Sequence, residues 1–177
     1  LRRKEMKPFL QRDYAHRGLH SADQLIPENS MAAFREALNN NLAIELDIHL
    51  TRDNQIVVFH DETLDRICHV PGTIENSSYE ELRSLRLQGT SEHIPLFSDV
   101  LNYVNGRVPL LIELKLPSTD TRLCNYTLKL LRTYNGPVLI QSFNSLGVRW
   151  FFKNAPDILR GQLSSSLTKT NPESPYL

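Results

Sequence analysis

Residues 43–48 read Ala43-Ile44-Glu45-Leu46-Asp47-Ile48, an alternation of apolar and acidic side chains. In an extended strand, side chains two apart share a face and neighbours do not. Ile44, Leu46 and Ile48 therefore point one way, and Glu45 and Asp47 the other, so two carboxylates converge on one side of an otherwise apolar strand. The run from Leu110 to Leu116 divides in the same manner, with Ile112, Leu114 and Leu116 on one face and Glu113 and Lys115 on the other. Charges on a strand this apolar must be paired or must hold a metal.

Working outward, further strand candidates are Asp13 to Arg17, Ile56 to His60, Val138 to Ser142 and Ile158 to Leu163. Each is short and bounded by turn residues. Between the first two strands, Asn29 or Ser30 can cap a helix whose Met31, Phe34, Leu38 and Leu42 recur near the 3.6-residue period. A second stripe, Leu123, Thr127, Leu130, Leu131 and Tyr134, is closed by Asn135-Gly136-Pro137. Strand, helix, strand is the pattern of parallel crossover units. Residues 61–109 form a less regular excursion, in which Ser78-x-x-Glu81 predicts a capping box for a short helix through Leu85, and Ser98 to Tyr103 a further helix.

Polar groups gather where the strands end. His16-Arg17-Gly18 follows the first, His60-Asp61 the third and Gln141-Ser142 the fifth, beside the acids of the second and fourth. In parallel α/β proteins, and above all in (β/α)8 barrels, active sites are assembled from several strands at their carboxyl ends. Unrelated surface ion pairs would not repeat over five strands.

The rest of the composition narrows the class. The chain has 177 residues, 40% hydrophobic and 23% charged, which is a globular balance and enough for one domain. Twenty Lys and Arg balance twenty Asp and Glu, so a nucleic-acid binder that neutralises many phosphates is excluded. Cys68 and Cys124 fit neither a zinc spacing nor a disulfide framework and predict a reducing, cytoplasmic setting. Since the first residue is Leu1, the natural amino terminus is expected further upstream. The basic opening Arg2, Arg3, Lys4, Lys7 reads as a solvated, frayed terminus, the alternative being the cytoplasmic flank of an upstream membrane anchor.

Glu45, Asp47 and Glu113 supply hard oxygen ligands that suit Mg2+, Ca2+ or Mn2+. His16 and His60 titrate near neutrality and can accept and donate a proton. Arg17 and Lys115 add positive charge for an anion, the Arg fork matching phosphate oxygens. Metal, acid, base and phosphate clamp together describe hydrolysis of a phosphate ester.

The chain resembles the glycerophosphodiester phosphodiesterase family. The resemblance runs in order through His16-Arg17-Gly18, Pro27-Glu28-Asn29-Ser30, Glu45-Leu46-Asp47, Thr51-Arg52-Asp53, His60-Asp61, Leu64-Asp65-Arg66, Ile94-Pro95-Leu96, Glu113-Leu114-Lys115 and Ser142-Phe143. It implies a TIM-type (β/α)8 barrel that hydrolyses glycerophosphodiesters to an alcohol and sn-glycerol 3-phosphate with one divalent cation, Mg2+ or Ca2+. It further implies that Glu45, Asp47 and Glu113 hold the ion, His16 and His60 are the acid–base pair, and Arg17 and Lys115 hold phosphate. Residues 61–109 correspond to the family's insertion bordering the substrate pocket, and Phe143 to an apolar wall of it. The expected partner is the small-molecule diester.

Ser30 stands where the family commonly has Thr, Asn54 where it has Gly, and Phe97-Ser98-Asp99 where a Leu-Glu-Glu-like run is common; none touches the expected chemistry. His20 and His49 are expected at the surface or as supports of the site. A complete barrel takes about 250 residues, whereas about six strands are legible before Asn171-Pro172-Glu173-Ser174-Pro175-Tyr176-Leu177. The chain, 1–177, is thus expected to be one barrel domain lacking its C-terminal part, unless another copy completes it. Two other functions compete: a non-catalytic phosphoester-binding module, and a phosphodiesterase of lysophospholipids on the same scaffold.

Overall fold

A computed structural model of the chain describes residues 2–164. Helix α1 (Arg2–Leu10) occupies the opening expected to be frayed, and is followed by β1 (Tyr14–Ala15), α2 (Met31–Asn39), β2 (Ala43–Leu50) and β3 (Ile56–Val58). The excursion carries α3 (Asp65–Cys68), α4 (Tyr79–Leu82) and α5 (Phe97–Val104), and β4 (Leu110–Leu114), α6 (Arg122–Leu131), β5 (Val138–Ser142), α7 (Ser145–Asn154) and β6 (Leu159–Gln162) complete the described order. The tail from Asn171 to Leu177 lies outside the described residues.

Strands β1, β2, β4, β5 and β6 lie side by side in chain order, each parallel to the next. Order in space equal to order in sequence means that the sheet never reverses its winding, so right-handed crossovers all leave their helices on one side. That is the wall of a TIM-type barrel, as the family resemblance implies, built from the parallel crossover units that the alternation of strands and helices predicts.

One expected barrel strand is not one. Ile56–Val58 pairs with β2 antiparallel, Ile48 opposite Val58 and Leu50 opposite Ile56. The connection explains the direction. Thr51 to Gln55 is a tight turn closed by Thr51 N–H to the Gln55 carbonyl (2.9 Å) and Asn54 N–H to the Thr51 carbonyl (3.0 Å), with Asn54 at φ 61°. A parallel return would need a crossover of about a dozen residues or more. The described parallel wall therefore has five strands, and β3 runs back alongside β2 from its carboxyl end toward the level of Asp47.

Two apolar cores follow. The larger joins the inner strands to α2, α5, α6 and α7 through Phe34, Ile44, Leu46, Ile48, Phe97, Ile112 and Phe151. A smaller one, with Val57, Phe59, Leu64, Ile67, Ile74, Leu82 and Ile94, sits under the excursion and gives it a packing identity of its own. Helix α5 packs in the larger core as the crossover between β2 and β4. Helix α4 begins with the expected capping box, Ser78 N–H donating to the Glu81 carboxylate (2.6 Å) and Glu81 N–H to Ser78 Oγ (3.3 Å), though it ends at Leu82. Cys68 and Cys124 are buried and unpaired, one in each core. Among the described residues no helix is long and apolar enough to cross a membrane.

Candidate active site

Register builds the acidic centre. In the parallel pair β2–β4, Asp47 stands opposite Glu113, and Glu45 lies two residues back on the same face. All three carboxylates are buried, with 5%, 1% and 8% exposure for Glu45, Asp47 and Glu113, and their ligand oxygens lie within 4.8 Å of one another. Each is oriented by a neighbour. Asn29 Nδ2 donates to Asp47 Oδ2 (2.9 Å), the Arg17 backbone N–H to Glu45 Oε2 (3.1 Å), and Gln141 Nε2 to Glu45 Oε1 (3.3 Å). Lys115 Nζ bridges Glu113 Oε1 (2.5 Å) and Asp47 Oδ1 (3.0 Å).

Three buried carboxylates repel. Burial first, then the charges of Asp47 and Glu113, push the Glu45 carboxyl up to about 7 despite the opposing hydrogen bond from Arg17 N–H. Burial works against the Lys115 ammonium, but Asp47 and Glu113 outweigh it and hold its pKa above the ordinary value. One ammonium balances one of the three negative charges. A divalent cation on the same oxygens would balance the other two, and an all-carboxylate donor set fits a hard ion such as Mg2+ or Ca2+.

The loop after β1 brings the next groups. Arg17 adopts φ 57° and Gly18 φ 76°, turning the chain so that Arg17 N–H meets Glu45. A Cβ on Gly18 would lie 2.7 Å from Ala33 Cβ in α2, so this turn admits only glycine. His16 Nε2 stands 3.9 Å from Glu45 Oε2, with its side chain 68% exposed. Burial and then the Arg17 charge lower the His16 pKa, which leaves the imidazole free to accept a proton at neutral pH. Arg17 Nη1 donates to Glu28 Oε1 (2.9 Å), and its Nε, 3.7 Å from Asp47 Oδ2, is a buried donor with no hydrogen-bond partner.

Strand β3 delivers His60. Because β3 returns along β2, Phe59 N–H donates to the Asp47 carbonyl (3.0 Å), and the next residue is carried to the level of the acids. Asp61 Oδ1 accepts from His60 Nδ1 (2.6 Å). Burial alone would raise the Asp61 carboxyl, but the hydrogen bonds from His60 and Arg66 overcome it and hold it well below the usual carboxylate range. With Nδ1 committed to Asp61, Nε2 is the nitrogen left for chemistry. An open cleft of about 690 Å3 is lined by His60, Glu113, Lys115, Ser142 and Phe143. Phe143 is 45% exposed there, a wall rather than core. Ser142 Oγ donates to the Leu114 carbonyl (2.8 Å) and so ties two strand ends together.

All three acids and Lys115 thus meet at one point, Arg17 and His16 flank it, and His60 shares the adjoining cleft. His20 is exposed, whereas His49 is buried on the face of Glu45 and Asp47, its Nε2 3.2 Å from the His60 carbonyl. Ser30, not Asn29, caps α2 by accepting from Ala33 N–H (3.1 Å), which frees Asn29 for Asp47. The sequence pattern assigns Asn29 only a candidate capping role and no place in the site to Glu28, Asp61, Arg66 or Gln141. The first four fall inside the motifs that carry the family resemblance, and Gln141 follows from register opposite Glu113.

A model described as the glycerophosphoryl diester phosphodiesterase family matches residues 16–172. The chain is 32% identical over 161 residues to a glycerophosphodiester phosphodiesterase of Bacillus altitudinis, covering 82% of this chain and 63% of that protein. It is 31% identical over 148 residues to a lysophospholipase D of Homo sapiens, covering 76% and 45%. The solved structure of an Oleispira antarctica phosphodiesterase in complex with the product sn-glycerol-3-phosphate superposes with a TM-score of 0.80 at 26% identity, over 93% of this chain and 70% of that one. The chain spans under two thirds of the length of such curated relatives as the Bacillus altitudinis enzyme.

Proposed function

The chain belongs to the glycerophosphoryl diester phosphodiesterase family, and from that membership we propose that the protein hydrolyses glycerophosphodiesters to an alcohol and sn-glycerol 3-phosphate, with one divalent cation, Mg2+ or Ca2+, on Glu45, Asp47 and Glu113. The observation that carries the proposal is the convergence of those three buried carboxylates within 4.8 Å of one another, beside two histidines in different settings. Binding a phosphoester would need only a cation on the acids and the positive charges of Arg17 and Lys115; an acid and a base are needed only to break it.

The cation, when bound, draws charge off the phosphate oxygens. Arg17 offers its unpartnered Nε–H, and Lys115 its ammonium, to the same anion. His16, exposed and kept neutral, takes the proton from the attacking oxygen, either water or the neighbouring glycerol hydroxyl, the latter giving a cyclic phosphate that water then opens to sn-glycerol 3-phosphate. His60, with its Nδ1 held by Asp61, donates from Nε2 to the departing alcohol. The insertion, residues 61–109, borders the cleft through Asp61, Glu62, Thr63 and Glu75 and meets the alcohol part of the substrate. A cytoplasmic setting completes the reading and rests on Cys68 and Cys124, which are buried and unpaired.

The test is release of sn-glycerol 3-phosphate from glycerophosphocholine by the full-length protein, with Mg2+ or Ca2+ and with EDTA. Product that depends on the cation is expected. Binding without product would make the protein a phosphoester-binding module. Cleavage of lysophospholipid alone would favour the activity named for the human relative, a reading to which the exposed Phe143 on the cleft wall lends support.

A further inference from the structure

Arg66 touches none of the groups assigned to the cation, the phosphate or the proton transfers, yet its guanidinium is the most heavily bonded side chain near them. From the short helix α3 it grips two carboxylates at once. Nε and Nη2 donate to Asp61 Oδ2 and Oδ1 at 2.6 and 2.9 Å, and Nη1 and Nη2 to Glu28 Oε2 and Oε1 at 3.0 and 2.7 Å. Each carboxylate in turn holds one working group, Asp61 the His60 imidazole at 2.6 Å and Glu28 the Arg17 guanidinium at 2.9 Å.

The two arms start from different parts of the chain. Arg17 and Glu28 belong to the loop between β1 and α2, His60 and Asp61 to the beginning of the excursion. Among the described residues, one planar side chain carries the ionic link between these two loops at the site. A lone half-exposed ion pair would fix little. Here both carboxylates are mostly buried, with 12% and 21% side-chain exposure, and both are taken in the two-toothed geometry that only a guanidinium supplies.

We infer that Arg66 is a positioning residue that sets the His60 imidazole and the Arg17 guanidinium in one frame, an inference that rests on the hydrolase reading above. Misplacing a reacting group by about 1 Å costs roughly 10^2-fold in rate. In the full-length protein, Arg66→Met should therefore lower kcat on glycerophosphocholine about 10- to 100-fold and raise KM, since Arg17 is released along with His60. Arg66→Lys, which keeps the charge but can meet only one carboxylate well, should recover part of the loss.

The decisive comparison is with Asp61→Asn. If Arg66 acts on kcat through Asp61, the double variant falls no further in kcat than the worse single one; if Arg66 merely braces the fold, the two losses multiply, and the inference is overturned. Wild-type kcat in Arg66→Met overturns it as well. A readout free of turnover separates this inference from the hydrolase reading: the proton NMR signal of His60 Nδ1–H should weaken or move upfield in Arg66→Met without substrate or cation. An unchanged signal overturns the clamp even in an active enzyme, whereas a shifted signal in a protein inert toward every diester upholds the clamp and sinks the activity. Should Arg66→Met fail to fold, Arg66→Lys and Arg66→Gln carry the same comparisons.

Discussion

The acids on β2 and β4 and the histidines and arginines on the loops beside them reach the same small volume by different means. Glu45, Asp47 and Glu113 are carried by neighbouring strands whose register puts Asp47 opposite Glu113, and they are almost wholly buried. His16, Arg17 and His60 come from loops, and His16 is largely exposed. Their places depend on single hydrogen bonds to the strands, such as Arg17 N–H to Glu45, and on the ion pairs through Glu28, Asp61 and Arg66. Backbone ladders thus fix the cation-binding half, while side chains fix the proton-moving half. Damage to the first half is a change of charge in a buried place, and damage to the second is a loss of alignment.

The sharpest break in that contrast is Asp47→Asn. It preserves shape but removes the central carboxylate, and with it one of the two partners of Lys115. Turnover is expected to fall to the assay background, a loss of about 10^3-fold or more, and calorimetric Mg2+ or Ca2+ binding should vanish with it. Near-native turnover would refute the assignment of the cation site. Next come the loop histidines. His60→Ala should cost on the order of 10^2- to 10^3-fold in kcat on an alkyl ester, and much less on an ester with an activated leaving group, which departs without a proton. A loss at His60 that stays equally large with the better leaving group would exchange the roles of His16 and His60.

What was legible follows the same division. Period-two alternation needs no tertiary information, so Glu45, Asp47, Glu113 and Lys115 could be grouped from the strands that carry them. The same alternation carries His49, four residues from Glu45, onto their face, where it is buried. The direction of Ile56–Val58 was also within reach, since the five residues from Thr51 to Gln55 are too few for a parallel crossover. Helix α7 was not: Gly147 interrupts its helical pattern, and only in the fold does the lack of a Cβ count, since one would lie 2.4 Å from Leu116 Cδ1. Nor could the ionic links among Glu28, Asp61 and Arg66 be read, because long-range pairing leaves no local period.

A smaller effect probes the junction between the halves. Asn29 sits on the loop but donates to the strand-borne Asp47 (2.9 Å). Asn29→Ala should weaken cation binding about 10- to 100-fold, as loss of a bond that orients a ligand does, with little change in the secondary structure seen by circular dichroism. Unchanged affinity would mean that the sheet alone orients Asp47, and would make the contrast between halves sharper still.

The smallest effect concerns pH in the absence of catalysis. Glu45 has its pKa raised in the folded protein to about 7, chiefly by burial, against about 4.3 in an unfolded chain. Between those values the metal-free folded state holds a proton that the unfolded state has released, so stability falls as pH rises through this window and stays low above it. The ceiling is about 4 kcal/mol, from the size of the shift. Asp61 and Glu28 have their pKa values lowered and work with the opposite sign, losing stability only as pH drops below about 4. A cation must displace the Glu45 proton at pH 5 and finds the site already ionised at pH 8. Saturating Mg2+ or Ca2+ should therefore raise Tm by several degrees more at pH 8 than at pH 5. Equal shifts at both values would show that the ion does not meet Glu45, and the strand-borne half would then need another explanation for its three buried acids.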